Sequence, residues 1–356
     1  MLKGKTVYCI VTGAHRTTTI ALFLNMLKNE HADNIILMPT AAAEAFLDLQ
    51  TIPEDVIIRR TSKGTMQIPE EDVVVVAPCT FNTFSKIATG VADSYPMSIL
   101  HAAIGKKKPV VIVPSMGEQY WWHPITAAHL RTMTGFGVEV IWPEYIYNSS
   151  GVLEKLTMAP WAKVLDSVCH KFKKIRYDGL RVRGTHAMRL IDEYYASFAK
   201  YGDALQQNHY TNAAAGFLAM RVDESNILIT RSGAFVGNLT RDDITVVTNH
   251  DNHIVSWYGV SEPSSETPLV LDIFDQFPEV NAIIHGHCRD ITYSPKMLKY
   301  LSNEYLAYGQ WGEIFKISDL LKWYHFAIMK LHGEIVVGKC FKEALTLYYE
   351  KYQETL

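Results

Sequence analysis

The run Val73-Val74-Val75-Val76-Ala77 constrains this chain more than any other stretch. A strand with one face in water alternates apolar and polar side chains. Five apolar residues in succession, four of them β-branched, need cover on both faces, which is the habit of strands in parallel sheets packed between helices. The neighbouring sequence repeats the theme: apolar β-rich runs at 6–11, 34–38, 110–113 and 138–141 alternate with helical spacing over 17–27 and 41–46, the latter capped by Thr40. Pro78, Pro114 and Pro143 are expected to stop strands. Such βα alternation predicts an α/β first half, and the loops at the carboxyl ends of its strands would line a ligand crevice. There Gly13 and Thr17, Thr18 and Thr19 put N–H and hydroxyl groups at a helix start, a suitable seat for a phosphate but equally consistent with plain N-capping. No Gly-x-Gly-x-x-Gly fingerprint is present.

In the second half the constraint is chemical. Ser264-Ser265-Glu266 precedes an amphipathic helical stretch, with apolar residues at 269, 270, 273, 274 and 277, and then a strand that ends in His285-Gly286-His287. Side chains two apart in a strand share a face, so these imidazoles stand together as half a metal site. With 14 histidines in the chain, one His-x-His could be chance, and a buried histidine is more often a hydrogen-bonded core residue. Glu266 and His332, the latter in a Gly turn leading into Ile335-Val336-Val337, turn the pair into a consistent set. Three neutral imidazoles suit a catalytic Zn²⁺ with positions left open; a hydroxyketone there would have its carbonyl polarised and its enediolate stabilised, with Glu266 moving the proton.

The rest of the second half reads as α+β. Runs at 217–222 and 227–230 flank a turn, Asp223-Glu224-Ser225-Asn226, as a hairpin would; a capping run at 239–243 leads to a strand at 244–248, and 339–352 makes a closing helix. Residues 152–174 read as one helix ending the first domain. The stretch 176–184 mixes Gly and charge without apolar periodicity, which sets the domains at 1–178 and 183–356. Thr185 then opens a helix with apolar positions 188, 190, 191, 194, 195 and 198.

A chain of 356 residues suits two domains better than one core. A net charge of -3 gives no electrostatic footprint for nucleic acid, and no apolar stretch reaches the roughly 18 residues that span a membrane. The first residues lack a signal peptide pattern, so the expectation is a cytoplasmic protein. Its five cysteines are expected to be reduced thiols, Cys79 being either loop packing or a redox group.

Two resemblances sharpen this reading. Ala77-Pro78-Cys79-Thr80-Phe81-Asn82-Thr83-Phe84-Ser85-Lys86-Ile87-Ala88-Thr89-Gly90-Val91-Ala92-Asp93 resembles the signature of the flavoprotein family that includes phosphopantothenoylcysteine and peptidyl-cysteine decarboxylases. Pro114-Ser115-Met116-Gly117, running on to Trp121 and Pro124, is similar to that family's Pro-x-Met-Asn-x-x-Met-Trp-x-x-Pro segment. The resemblance implies a flavodoxin-like parallel sheet binding FMN, with Gly13, Thr40, Thr80, Asn82, Thr83 and Asp93 near the cofactor. Gly117 stands where the motif has Asn, and residues 65–72 hold no counterpart of the decarboxylases' His.

The second half resembles the class II aldolase and adducin family in Asn212-Ala213-Ala214-Ala215-Gly216, Asn226 through Gly233, Pro263-Ser264-Ser265-Glu266, His285-Gly286-His287 and His332-Gly333. This implies an antiparallel sheet flanked by helices, Zn²⁺ on His285, His287 and His332, and Glu266 as acid/base. Ser232, Gly233, Ser264 and Ser265 would bind the anionic end of a substrate. The family's Gly-Asn-x-Ser is Gly216-Phe217-Leu218-Ala219 here, and Arg231 stands where Pro is common; Arg231 is either a solvated loop residue or a bidentate phosphate partner.

The expectation is therefore a flavodoxin-like domain fused to an α+β, class II aldolase-like zinc domain. The second would act as a lyase on a small, phosphorylated hydroxy-carbonyl compound, without a nucleic-acid or membrane partner. Retro-aldol cleavage, epimerisation, dehydration and decarboxylation stay open, as do flavin-dependent decarboxylase or transferase chemistry and a non-catalytic, adducin-like binding role. Both families imply a homo-oligomer.

Overall fold

A computed structural model of the chain describes residues 1–62, 68–148, 150–182, 186–211, 215–249 and 253–356. Thr185, Asn212, Ala213, Ala214 and the segment 65–67, all used in the sequence reading, lie outside the described residues. The chain divides into two compact units, Met1–Lys173 and Lys174–Leu356.

The first unit is built on a six-stranded parallel sheet of β1 (Thr6–Val11), β2 (Asn34–Pro39), β3 (Ile57–Ile58), β4 (Val73–Cys79), β5 (Val110–Pro114) and β6 (Glu139–Val140), in the order β3-β2-β1-β4-β5-β6. With the two-residue edge β3 set aside, this is the flavodoxin-like doubly wound order, whose switch point lies between β1 and β4. Val7–Ile10 of β1 pair in register with Val73–Val76 of β4. Period-2 alternation sends Tyr8, Ile10, Val74, Val76 and Ile112 into one cluster with Phe84, Ile87 and Leu100 of the helices Phe81–Thr89 and Tyr95–Gly105. Their neighbours Val7, Cys9, Val73, Val75 and Val111 are equally buried on the opposite face, as a uniformly apolar strand demands. Each such side chain contributes about 1.5–3 kcal/mol when fully buried.

Four sequence expectations change. Pro78 does not stop β4; the register with β5 shifts between Val76 and Cys79, which carries the pairing past a residue that has no N–H to donate. The run 138–141 shortens to two strand residues. Residues 17–27 begin as a 3₁₀ turn, His15–Thr19, before the helix Ile20–Asn29. The hydroxyls of Thr17, Thr18 and Thr19 donate to the carbonyls of Thr12, His15 and Arg16, a local alternative to capping or to an open phosphate seat. Finally, 152–174 is not one helix. β8 (Leu153–Thr157) folds back on β7 (Glu144–Tyr147) as an antiparallel ribbon, and the helix Trp161–His170 starts only after Pro160. Proline favours the start of a helix, not its middle.

The second unit is an eight-stranded sheet: β9 (Asp178–Arg181), β10 (Phe217–Arg221), β11 (Ile227–Thr230), β12 (Ile244–Asn249), β13 (Ile254–Tyr258), β14 (Ala282–Gly286), β15 (Phe326–Met329) and β16 (Gly333–Gly338). Its order is β15-β16-β14-β10-β11-β12-β13-β9, antiparallel except where β9 joins β13 in parallel. Residues 178–181, read from sequence as the end of the first domain and its connector, are thus the edge strand of this sheet. Alternation again separates two cores. Leu218, Ile284 and Val336 pack with Phe198 and Phe341 of the helices His186–Gln207 and Phe341–Gln353; Phe217, Ile283 and Ile335 pack with Leu269, Val270 and Ile273 of the helix Thr267–Gln276. Among the described residues no helix is long and apolar enough to cross a membrane.

Candidate active site

β14 and β16 pair antiparallel, with His285 opposite Ile335 and Gly286 opposite Glu334. The end of one strand and the start of the other therefore lie side by side, and this joins His285, His287 and His332. Their ring centroids are 4.6, 5.0 and 5.2 Å apart, and one nitrogen of each lies within 4.8 Å of the others. Two glycines permit the approach. A Cβ on Gly333 would lie 2.2 Å from the Gly286 carbonyl oxygen, and one on Gly286 would lie 2.0 Å from the Tyr348 hydroxyl; backbone comes this close only where there is no side chain.

His285 is 2% exposed. Its Nδ1 lies 2.9 Å from the Glu334 carbonyl oxygen, which can only accept, so the ring donates there and leaves a lone pair on Nε2. That nitrogen is buried and has no hydrogen-bond partner, a cost of about 1–3 kcal/mol for an unsatisfied group that a metal ion would remove. Burial pushes the His285 pKa down to about 4, against the hydrogen bond to Glu334 that favours the charged form. The ring is thereby kept neutral, the form that ligates metal.

Glu266 is the residue before the helix Thr267–Gln276 and is 6% exposed. Its Oε1 is 3.9 Å from His332 Nε2, and its N–H donates to Ser264 Oγ at 3.2 Å. The Ser264 N–H in turn donates to the Thr230 carbonyl, and Arg231 bridges Pro263, which aligns the 263–265 segment with the turn after β11 that carries Ser232 and Gly233. The predicted anion-binding residues thus lie on two adjoining segments, one of which runs into Glu266. Arg231 is not the free, solvated loop residue of one expectation. Its guanidinium is held at 2.7 Å by Asp243 and donates to the Ser232 carbonyl, which fixes its orientation. Burial opposes ionisation of Asp243, but hydrogen bonds from Thr240 and the charge of Arg231 hold its carboxyl below the ordinary range.

Sequence reasoning missed Glu334. A glutamate in an apolar strand reads as a solvent-facing residue, yet it is 0% exposed behind the histidines. Burial lifts its carboxyl to about 7 in spite of hydrogen bonds from Tyr348, Cys288 N–H and Thr292.

In the first unit Gly13, Thr40, Thr80, Asn82 and Thr83 gather at the carboxyl ends of β1, β2 and β4. The Thr40 N–H donates to the Val11 carbonyl, the Thr80 N–H to Thr12 Oγ1 at 3.0 Å, and the Thr80 and Thr83 hydroxyls are 3.3 Å apart. These groups could receive a phosphate-bearing planar cofactor, although none of them carries a buried unpartnered polar atom that calls for one. Asp93 is engaged elsewhere, by a lysine of the helix that follows β4. It follows Gly90, the left-handed cap at the carboxyl end of the helix Phe81–Thr89, and its carboxylate pairs with Lys86 at 2.6 Å.

Comparison with known proteins divides the chain in the same way. Residues 1–173 match the Flavoprotein family model, and residues 196–352 match the model for the class II aldolase and adducin N-terminal domain. Methylthioribulose-1-phosphate dehydratase of Yersinia enterocolitica is 34% identical over 97 residues, 27% of this chain and 44% of the relative. Phosphopantothenoylcysteine decarboxylase of Mus musculus is 26% identical over 138 residues, 36% of this chain and 67% of the relative. A solved structure of L-fuculose 1-phosphate aldolase aligns over 46% of this chain and 83% of its own, with 22% identity and a TM-score of 0.39. The chain spans less than half the length of the dehydratases it matches, 44% and 38% in two of them.

Proposed function

Taking as premise the match of residues 196–352 to the class II aldolase and adducin family, we propose that the second unit is a zinc-dependent lyase. Its substrate is a small, phosphorylated hydroxy-carbonyl compound. His285, His287 and His332 hold the ion. Zinc in such a site polarises a carbonyl and offsets the negative charge that develops beside it. Glu266, buried at the rim of the imidazole cluster, takes the proton from the carbon next to that carbonyl and returns it to the leaving group. Ser264 fixes the main chain of Glu266 through its hydroxyl, so the carboxylate approaches from one direction. Ser232, Gly233, Ser264 and Ser265 receive the phosphate, with Arg231 contributing as a charge oriented by Asp243 and not as a free arm. Loss of water is the form of lyase chemistry favoured by the resemblance to methylthioribulose-1-phosphate dehydratases; in aldol cleavage the proton taken comes instead from the hydroxyl beside the C–C bond that breaks, and a proton is returned to the carbon next to the carbonyl.

The observation that carries this reading is the buried, unpartnered Nε2 of His285, a lone pair aimed where two other imidazoles converge. Elemental analysis of protein purified without added metal tests it. Near-stoichiometric zinc, lost in His285→Ala along with turnover of phosphorylated ketoses, is the expected result; full activity in His285→Ala would sink the reading.

For the first unit, we propose FMN at the β1/β4 switch point, on Gly13, Thr40, Thr80, Asn82 and Thr83, supported by the sheet order and the family match. Asp93 is left out. With Gly117 in place of the motif's Asn, no decarboxylation step is assigned. A purified protein without a flavin absorbance band, before and after incubation with FMN, would overturn this assignment.

A further inference from the structure

We propose that Glu334 is a positioning residue for the zinc site, holding the histidine cluster in shape from behind; this rests on the zinc reading above. Glu334 begins the buried strand β16 as Gly333-Glu334-Ile335-Val336-Val337-Gly338, where every residue is buried. Strand packing alone calls for an apolar side chain at such a position, since a buried carboxylate is costly unless it is fully hydrogen-bonded. Here it is hydrogen-bonded by three donors. Oε1 accepts from the Cys288 N–H at 2.6 Å and from the Tyr348 hydroxyl; Oε2 accepts from Thr292 Oγ1 at 2.8 Å.

Two of these three contacts, and the main-chain carbonyl of the same residue, lead to a histidine. The Glu334 carbonyl accepts from His285 Nδ1 and fixes both the tautomer and the rotation of that ring. Cys288 directly follows His287, so the bond from its N–H pins the chain on which His287 stands. The Tyr348 hydroxyl lies 3.4 Å from the Tyr210 carbonyl, and that carbonyl accepts the His287 N–H at 3.0 Å. Glu334 itself is two residues past His332. One side chain therefore ties together β16, the end of β14 and the closing helix Phe341–Gln353, which are the elements the ligands depend on. Groups in this position behind metal ligands set ring orientation, and their loss typically weakens metal binding 10–100-fold.

The test is zinc affinity by chelator competition on the full chain, together with the visible spectrum of the cobalt-substituted protein. In Glu334→Ala the three donors lose their acceptor, and zinc binding is expected to weaken at least tenfold with a shifted cobalt spectrum. Glu334→Gln keeps an oxygen for Cys288 and Tyr348 and can donate to Thr292, whose hydroxyl can turn to accept; it is expected to recover most of the affinity. A folded Glu334→Ala protein with native zinc affinity and cobalt spectrum, altered only in thermal stability, overturns the proposal. Should Glu334→Ala fail to fold, Tyr348→Phe and Thr292→Val, which each remove one donor, decide by the same criterion. If the native protein binds no zinc, the zinc reading falls and takes this proposal with it. That result is distinct from native binding left intact by the variants.

Discussion

At the scale of single residues the site is governed by which atom each group has already committed. His285 spends Nδ1 on the Glu334 carbonyl, so its other nitrogen serves the cluster alone. Saturating zinc should therefore raise the unfolding free energy, by about 2.7 kcal/mol at a hundred times the dissociation constant. The shift should vanish in His285→Ala, as read by urea titration with and without metal. Glu266 offers a cleaner separation of roles. Glu266→Gln should retain zinc while turnover falls by roughly 10²–10⁴-fold, the usual worth of a positioned acid/base; parallel metal and rate measurements check it, and a loss of zinc in step with rate would make Glu266 a ligand. The histidines were legible from the sequence because strand alternation puts positions two apart on one face. Glu334 was not, since nothing local distinguishes a buried glutamate from a solvated one. Arg231 was legible as a charge but not as a paired one, because Asp243 is brought to it by the tertiary fold.

Elements were legible where one periodicity ran without interruption. The apolar run of β4, the β10–β11 hairpin around Asp223 and the amphipathic helix before His285 all stand where pattern put them. The stretch 152–174 misled because Leu153, Leu156, Val164, Leu165 and Val168 mimic helical spacing across a strand, a proline and a helix. The short elements carry predictions of their own. Thr240 and Asp243 form a capping box on the turn that leads into β12. The Asp243 carboxyl ionises more readily in the folded protein than in the unfolded chain. Its contribution, about 1 kcal/mol for such a cap, is complete above the unfolded pKa near 4 and is lost as pH falls through the lower folded value. Asp243→Asn should therefore lower stability at pH 7 and make less difference at pH 2–3, measured by urea titration at both. Gly333→Ala, driving a methyl onto the Gly286 carbonyl, should cost on the order of 1–3 kcal/mol and reduce zinc content; unchanged values would mean that β14 and β16 can move apart.

At the scale of the molecule, two units each close their own core, and the change of unit falls at Lys173 and Lys174, earlier than the mixture of Gly and charge at 176–184 suggests. The difference has a physical cause. Ile175 and Tyr177 are buried in the second unit's core, and the Tyr177 hydroxyl donates to the Pro263 carbonyl at 2.9 Å, directly beneath the turn that leads to Glu266. A fragment of residues 174–356 should accordingly bind zinc like the full chain, whereas a fragment starting at 183 should bind it more weakly and melt earlier. Equal behaviour of the two fragments would make the connector dispensable. The short strand β9 adds a further consequence. Asp178-Gly179-Leu180-Arg181 is brief, charged at both ends and exposed, the kind of border that discourages one sheet from templating onto another. Without it the boundary would be β13, Ile254-Val255-Ser256-Trp257-Tyr258, a sticky row of open backbone groups. A chain trimmed past β9, such as the fragment starting at 183, should therefore also aggregate more readily than the fragment of residues 174–356.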